Sequence, residues 1–250
     1  MVAALRRIDA LSPLIDVIIE VRDARAPEAT SLSGLRTPLA HKARIVLLNR
    51  ADLAQPSATR AWLRALQAQG LAAFSGSGTQ AASLAPLRAA IAAHPRRRTR
   101  LRAVVLGVPN VGKSSVINAL SRRKRAVARD QPGVTRRLQW LPLHAGAELL
   151  DAPGVLAPRL SSRNRFWKLA LCGLLPPTAY EAQEVADSFS AWCAEQRPDL
   201  VAKVDLDRIA RQRGRMRRNG ELDRAAAARD VLSAFRAGAL GRVTLEVADG

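Results

Sequence analysis

Short apolar runs, each stopping at a loop signal, recur through the first two thirds of the chain. They occupy residues 16–21, 44–48, 71–74, 102–106, 139–143 and 148–150, and short apolar runs bounded by loop signals predict strands. Several lack polar alternation, which predicts burial on both faces. Between them, residues 56–69 carry Trp62, Leu63 and Leu66 at helical spacing, and residues 84–93 and 114–121 read as further helices. This alternation predicts an α/β fold with a mostly parallel sheet. After about Phe166 the strand pattern stops. Thr178 and Glu181 form a capping-box pattern behind Pro176 and Pro177, with Ala182, Val185, Phe189 and Trp192 recurring on one face; residues 205–213 and 221–237 follow as helical segments. The expected organisation is an α/β domain over residues 1–165 and a small all-helical domain over residues 166–250.

Composition narrows the setting. Hydrophobic residues make up 48% of the chain, enough for a core, yet no stretch approaches the roughly 20 apolar residues of a membrane span, so no membrane partner is expected. Asp9, Asp16 and Glu20 interrupt the N-terminal region, which argues against a secretory signal. The two cysteines, Cys172 and Cys193, have neither metal-ligand nor CxxC spacing and read as buried thiols, so the expected compartment is the cytoplasm. Charge is the informative quantity: 40 Lys+Arg against 21 Asp+Glu give a formal +19, a field that attracts polyanions and makes nucleic acid the expected partner. The arginine excess suits bidentate phosphate binding, although an arginine- and alanine-rich genome would leave the same bias.

Residues 107–114, Gly-Val-Pro-Asn-Val-Gly-Lys-Ser, fit G-x-x-x-x-G-K-[ST] between a predicted strand and a predicted helix. Such a loop wraps phosphates in backbone N–H groups, its lysine (Lys113) neutralises the β/γ oxygens and its serine (Ser114) offers a hydroxyl to Mg²⁺. Asn110, Val111, Gly112 and Ser115 belong to the same cradle. Asn49, Arg50, Ala51 and Asp52 follow a strand and resemble the NKxD guanine motif, with Arg50 in place of lysine. A carboxylate there accepts from the N1 and N2 hydrogens of guanine, which adenine does not supply. Ser75 and Gly76, after the next strand, resemble the loop whose backbone meets the guanine oxygen. Asp151 opens Asp-Ala-Pro-Gly154, a DxxG pattern in which the aspartate supports Mg²⁺ through water and the glycine N–H meets the γ-phosphate. Thr135, in Pro-Gly-Val-Thr, lies between the two phosphate motifs, where a switch threonine completes the Mg²⁺ shell. The predicted catalytic set is Lys113, Thr135 and Gly154, and the expected cofactors are GTP or GDP with Mg²⁺.

The order of these motifs is rotated: the guanine motifs come first and the phosphate motifs follow. α/β domains tolerate such permutation because their native termini lie near one another. Taken with DVIIEVRDAR, PGVTR and DAPGV, the set resembles the YlqF/RbgA-type circularly permuted GTPases of large-ribosomal-subunit assembly, over about residues 1–175. That resemblance implies a monomeric GTPase that docks on the maturing large ribosomal subunit and its rRNA, with the loop after DxxG leading directly into the C-terminal domain. It also implies a potassium ion at Asn110. Family members commonly begin with a segment like PGHMAKA, whose histidine is a candidate for positioning water. Met1 aligns just after that segment, none of His41, His94 or His144 stands in its place, and Val155 sits where many GTPases carry a glutamine. A late start, slow hydrolysis, and completion of the site by rRNA are all compatible with this. A nucleotide-gated rRNA-binding module with little intrinsic hydrolysis is the alternative reading.

Residues 208–218 hold Arg208, Arg211, Arg213, Arg215, Arg217 and Arg218 without an acidic residue. This is the predicted RNA-binding segment, directed to phosphates rather than bases. Arg122, Arg123, Lys124 and Arg125 are a second basic cluster. With aromatics at 4%, structured RNA read by shape is the expected ligand class.

Overall fold

A computed structural model describes residues 10–32, 39, 41–95, 99–121, 139–143, 146–151 and 162–248. The chain divides into two compact units, one comprising Met1–Pro158 with Glu246–Gly250 and the other Arg159–Leu245.

In the first unit the apolar runs become strands β1 (Val17–Asp23) and β2 (Ala43–Asn49), followed by helix α1 (Pro56–Ala68), β3 (Ala72–Ser75), α2 (Ala85–Ala93), β4 (Leu101–Leu106), α3 (Lys113–Leu120), β5 (Gln139–Pro142) and β6 (Ala147–Asp151). The described residues form a six-stranded sheet in the order β3-β2-β1-β4-β6-β5. All pairs are parallel except β5 with β6. Every residue of β1 is buried, as a central parallel strand requires. From β1 the chain moves outward through β2 and β3, and β4 then begins on the other side of β1. The junction of β1 and β4 is therefore a topological switch point, and the crevice beyond its carboxyl ends is where open α/β sheets bind ligands.

Two apolar clusters support this edge. Ile15, Ile18, Val104, Leu106 and Leu150 form one, and Val46, Leu48, Trp62, Leu66 and Ala73 form the other. Ala248 packs against the second cluster. Pro56 starts α1 at a position where its missing N–H costs no helical hydrogen bond.

The second unit contains α4 (Arg163–Leu171), α5 (Ala182–Gln196), α6 (Val201–Val204), α7 (Leu206–Gln212) and α8 (Arg224–Arg236). Its core is mostly aliphatic around the buried Phe189, which lies 5.3 Å edge-on from Phe235 and 6.0 Å from Trp192. Arg236 closes the C-terminal end of α4, donating to the carbonyls of Ala170 (2.7 Å) and Leu171 (3.1 Å). Burial pushes the Cys193 thiol up to about 12, despite an opposing effect from Arg197. Among the described residues, no helix is long and apolar enough to cross a membrane.

Three sequence expectations shift. The boundary falls at Pro158 rather than after residue 165, because α4 packs with α5 and α8. The final residues belong to the first unit: the Glu246 carboxylate accepts from the backbone N–H groups of Glu28 (2.7 Å) and Ala29 (3.2 Å), and its carbonyl accepts from Trp62 Nε1. The capping box of Thr178 and Glu181 also does not form. Thr178 is taken into a 3-10 turn, Pro177–Ala179, and α5 starts behind Glu181 with no side-chain cap bond.

Candidate functional site

The loop between β4 and α3 starts at Gly107, where a Cβ would stand 2.6 Å from the Val21 carbonyl oxygen and 2.9 Å from Val111 Cγ1. Only glycine lets the loop leave the sheet this close to β1. Two left-handed residues, Asn110 (φ 59°) and Gly112 (φ 101°), curl it back into the first turn of α3. Lys113, 9% exposed, folds over the loop and donates from Nζ to the carbonyls of Gly107 (3.0 Å) and Val108 (2.8 Å). Ser114 and Ser115 are exposed at the start of α3.

The second loop begins where β2 ends, at the buried Asn49. Its Nδ2 donates to the Val111 carbonyl (2.9 Å) and its Oδ1 accepts from the Gly78 N–H (2.9 Å). One amide thus joins three loops 62 and 29 positions apart in sequence. Arg50 has a left-handed backbone (φ 59°) and donates from Nη2 to the Asn110 carbonyl (2.8 Å). The Ala51 N–H donates to the Gly76 carbonyl (3.1 Å), and the Gly76 N–H to the Leu48 carbonyl (3.0 Å). Ser75 ends β3 opposite Leu48. Asp52 carries Oδ1 buried without a hydrogen-bond partner, an acceptor whose burial costs free energy until a donor meets it.

The motif from residue 49 and the phosphate loop therefore meet at the switch point, in the same unit. Two residues outside the expected set join them. Asp23 ends β1 and receives Arg50 Nη1 at 3.0 Å. Gly78 lies against α3, where a Cβ would stand 2.9 Å from the Ser115 Cβ and from the Val116 nitrogen. A second glycine two positions after Gly76 was the signal for Gly78, whereas Asp23, two residues past the apolar run at 16–21, carried no local signal.

Comparison with known proteins agrees with this geometry. A family model described as "50S ribosome-binding GTPase" matches residues 102–220. Ribosome biogenesis GTPase A of Bacillus cereus is 30% identical, over 98% of this chain and 91% of that protein. The Thermotoga maritima protein of the same name is 31% identical, over 97% and 90%. The chain belongs to the ribosome biogenesis GTPase A (YlqF/RbgA) family. Two solved structures of YlqF, one GDP-bound and one GNP-bound from Thermotoga maritima, align with TM-scores of 0.77 and 0.76 at 30% identity, over 97% and 99% of this chain and 99% of each of theirs. The chain is thus a P-loop GTPase, a GTP-binding and GTP-hydrolysing enzyme of ribosome biogenesis, with the circularly permuted order of the YlqF/RbgA-type GTPases.

For the metal, Asp151 ends β6 in register with Val105 of β4, at the same sheet edge as the phosphate loop and the exposed Ser114. This combination of a hydroxyl and a carboxylate-bearing strand end suits a hard cation such as Mg²⁺. Thr135, Gly154 and the cluster Arg122 to Arg125 lie outside the described residues.

The six arginines of the segment in the second unit are all exposed, but they are not equivalent. Asp230 of α8 takes Arg215 at 2.9 and 3.1 Å and Arg213 at 3.4 Å. The side-chain hydrogen bond from Arg215, with both positive charges nearby, holds the Asp230 carboxyl below its ordinary range. Two of the six cations thus already have a carboxylate. Arg208, Arg211, Arg217 and Arg218 make no ion pair among the described residues. Arg217 and Arg218 sit in a small hairpin: Met216 bridges Leu222, Arg217 N–H donates to Glu221, and Asp223 N–H to Arg215.

Proposed function

We propose that the guanine base of GTP or GDP is read by Asn49, Arg50, Ala51 and Asp52, with the backbone of Ser75 and Gly76 on its oxygen. Its phosphates lie on residues 110–115: Asn110, Val111, Gly112, Lys113, Ser114 and Ser115. Mg²⁺, when bound, supplies charge neutralisation between the β- and γ-phosphates. Ser114 and Thr135 are the residues to hold it, with Asp151 acting through water. Lys113 brings positive charge to the same oxygens, and the Gly154 N–H meets the γ-phosphate. Lys113, Thr135 and Gly154 are the catalytic set in this reading. Asn110 also takes a potassium ion; equal hydrolysis in K⁺ and Na⁺ at fixed ionic strength would count against that assignment.

The observation that carries the reading is the Asn49 bridge to Val111, beside a buried Asp52 oxygen with no partner. Guanine presents two N–H donors, on N1 and N2, that suit such a carboxylate. Asp52→Asn replaces acceptors with an N–H donor, so GTP affinity should fall at least about a hundredfold. Xanthine carries a carbonyl where guanine has its amino group, so the same variant should gain affinity for XTP. Nucleotide titrations of both proteins test this, and an Asp52→Asn protein that keeps its GTP affinity and its preference over ATP would overturn the assignment.

The same proposal gives the enzyme a docking partner, the maturing large ribosomal subunit, reached as a cytoplasmic monomer. The net charge of +19 supports binding to rRNA phosphates. Within the arginine segment that role falls to Arg208, Arg211, Arg217 and Arg218, with Arg213 and Arg215 bracing the fold through Asp230.

A further inference from the structure

Asp23 is the last residue of β1, fully buried at the switch point between β1 and β4. Its carboxylate is shared. Oδ1 accepts from the Arg25 N–H (3.0 Å) and Arg25 Nε (2.9 Å), and Oδ2 accepts from Arg25 Nη2 (2.8 Å) and Arg50 Nη1 (3.0 Å). The other terminal nitrogen of Arg50 reaches the phosphate-loop carbonyl of Asn110 at 2.8 Å. One guanidinium therefore spans from the acid that ends β1 to the loop that precedes α3.

The backbone on both sides of that span is unusual. Arg50 and Asn110 are the non-glycine residues with positive φ among the described residues, each at 59°. L-residues rarely adopt this conformation unless their surroundings impose it. The two left-handed turns are joined by the Arg50 to Asn110 bond, and the fork is anchored by Asp23. A guanidinium presents its two terminal nitrogens in fixed relative positions, so it satisfies both acceptors at once; a lysine ammonium is a single point donor on a flexible stem. Burial alone would raise the Asp23 carboxyl, but the Arg25 and Arg50 guanidiniums overcome it and hold the group below its ordinary range. The anchor is thus ionised across the physiological range.

We propose that Asp23 is a positioning residue for nucleotide binding: through Arg50 it fixes the guanine-reading loop against the phosphate loop, so that both grip a single nucleotide. The inference rests on the nucleotide reading above. Asp23 touches neither base nor phosphate. It raises the fraction of molecules in which the two loops are correctly spaced, and apparent affinity scales with that fraction.

The test is a double-mutant cycle in the full chain, measuring affinity for a fluorescent GDP and for a non-hydrolysable GTP analogue, with thermal unfolding alongside. Asp23→Asn and Arg50→Gln should each weaken both nucleotides about tenfold, the scale of one charge-assisted hydrogen bond. In nucleotide affinity the double variant should be no weaker than Arg50→Gln alone, because Asp23 acts on the nucleotide only through Arg50. Arg50→Lys should fall between wild type and Arg50→Gln. In steady state, KM for GTP should rise more than kcat falls, a split that simple destabilisation would not produce. If Asp23→Asn fails to fold, Arg50→Lys carries the test: Arg50 is 29% exposed, a lysine keeps a cation there and leaves the Asp23 to Arg25 pair intact, but it cannot satisfy both acceptors, so wild-type affinity in Arg50→Lys would overturn the proposal. Unchanged affinity in Arg50→Gln, or strictly additive losses in the cycle, would overturn the proposal. Asp52→Asn separates the two levels: if it abolishes GTP binding while Arg50→Gln leaves affinity unchanged, only the positioning role is lost, and if Asp52→Asn has no effect the underlying nucleotide reading fails too.

Discussion

Gly112 shows how tightly individual residues are specified at the site. Its φ of 101° is one that side-chain-bearing residues rarely adopt, and a Cβ there would stand 2.3 Å from Asn49 Nδ2. Gly112→Ala therefore meets backbone strain and a clash with the side chain that bridges the loops. The strain alone is worth about 1–2 kcal/mol. We expect a thermal midpoint lower by several degrees and loss of GDP binding even where the protein remains folded, measured by thermal unfolding and nucleotide titration. A variant that binds GDP normally would show that the Asn49 bridge is dispensable. Many single residues of the site were legible before folding, since Asn49, Asp52, Lys113 and Ser114 follow from motif spacing. Asp23 was not, because an acid at a strand end has no meaning until the strand beside it brings Arg50 within 3.0 Å.

At the scale of elements, the strands and helices expected from apolar periodicity formed with edges moving by up to three residues, while α4 and α6 were not singled out in the sequence. The run at 44–48 became β2 and that at 102–106 became β4. Local chemistry competed elsewhere: the prolines before Thr178 drew it into a 3-10 turn and displaced the expected cap. Asp205 and Asp223 do cap α7 and α8, accepting from the N–H groups of Arg208 (3.0 Å) and Ala226 (2.8 Å). The hairpin across residues 215–223 lies between these capped helices and presents Arg217 and Arg218 beside the exposed Met216. Replacing both arginines by Gln should weaken binding to purified large subunits and flatten its salt dependence by roughly one unit for each phosphate left without its arginine. Replacing Arg213 and Arg215 should mainly lower thermal stability, since they leave Asp230 uncompensated. Binding over a salt series, with a GTP analogue and with GDP, distinguishes the two pairs. Equal slopes for wild type and the Arg217, Arg218 variant would place the RNA surface elsewhere.

For the whole molecule, class and function were largely determined by the sequence alone. Motif identity and rotated order suffice for a permuted GTPase, because phosphate and guanine recognition demand particular groups at short, local spacings. Net charge is likewise set by the sequence alone, being a sum that does not depend on fold. Tertiary structure decided what depends on residues far apart in the chain. It returned Glu246 to the first unit through the N–H groups of Glu28 and Ala29, and it separated the arginines held by Asp230 from those without a carboxylate. It also placed Asp23, Arg50 and Asn110 in one hydrogen-bonded chain. Periodicity and motif spacing report short-range geometry, whereas pairing between buried or charged groups is set by which strands and helices become neighbours, and that is decided only when the core closes.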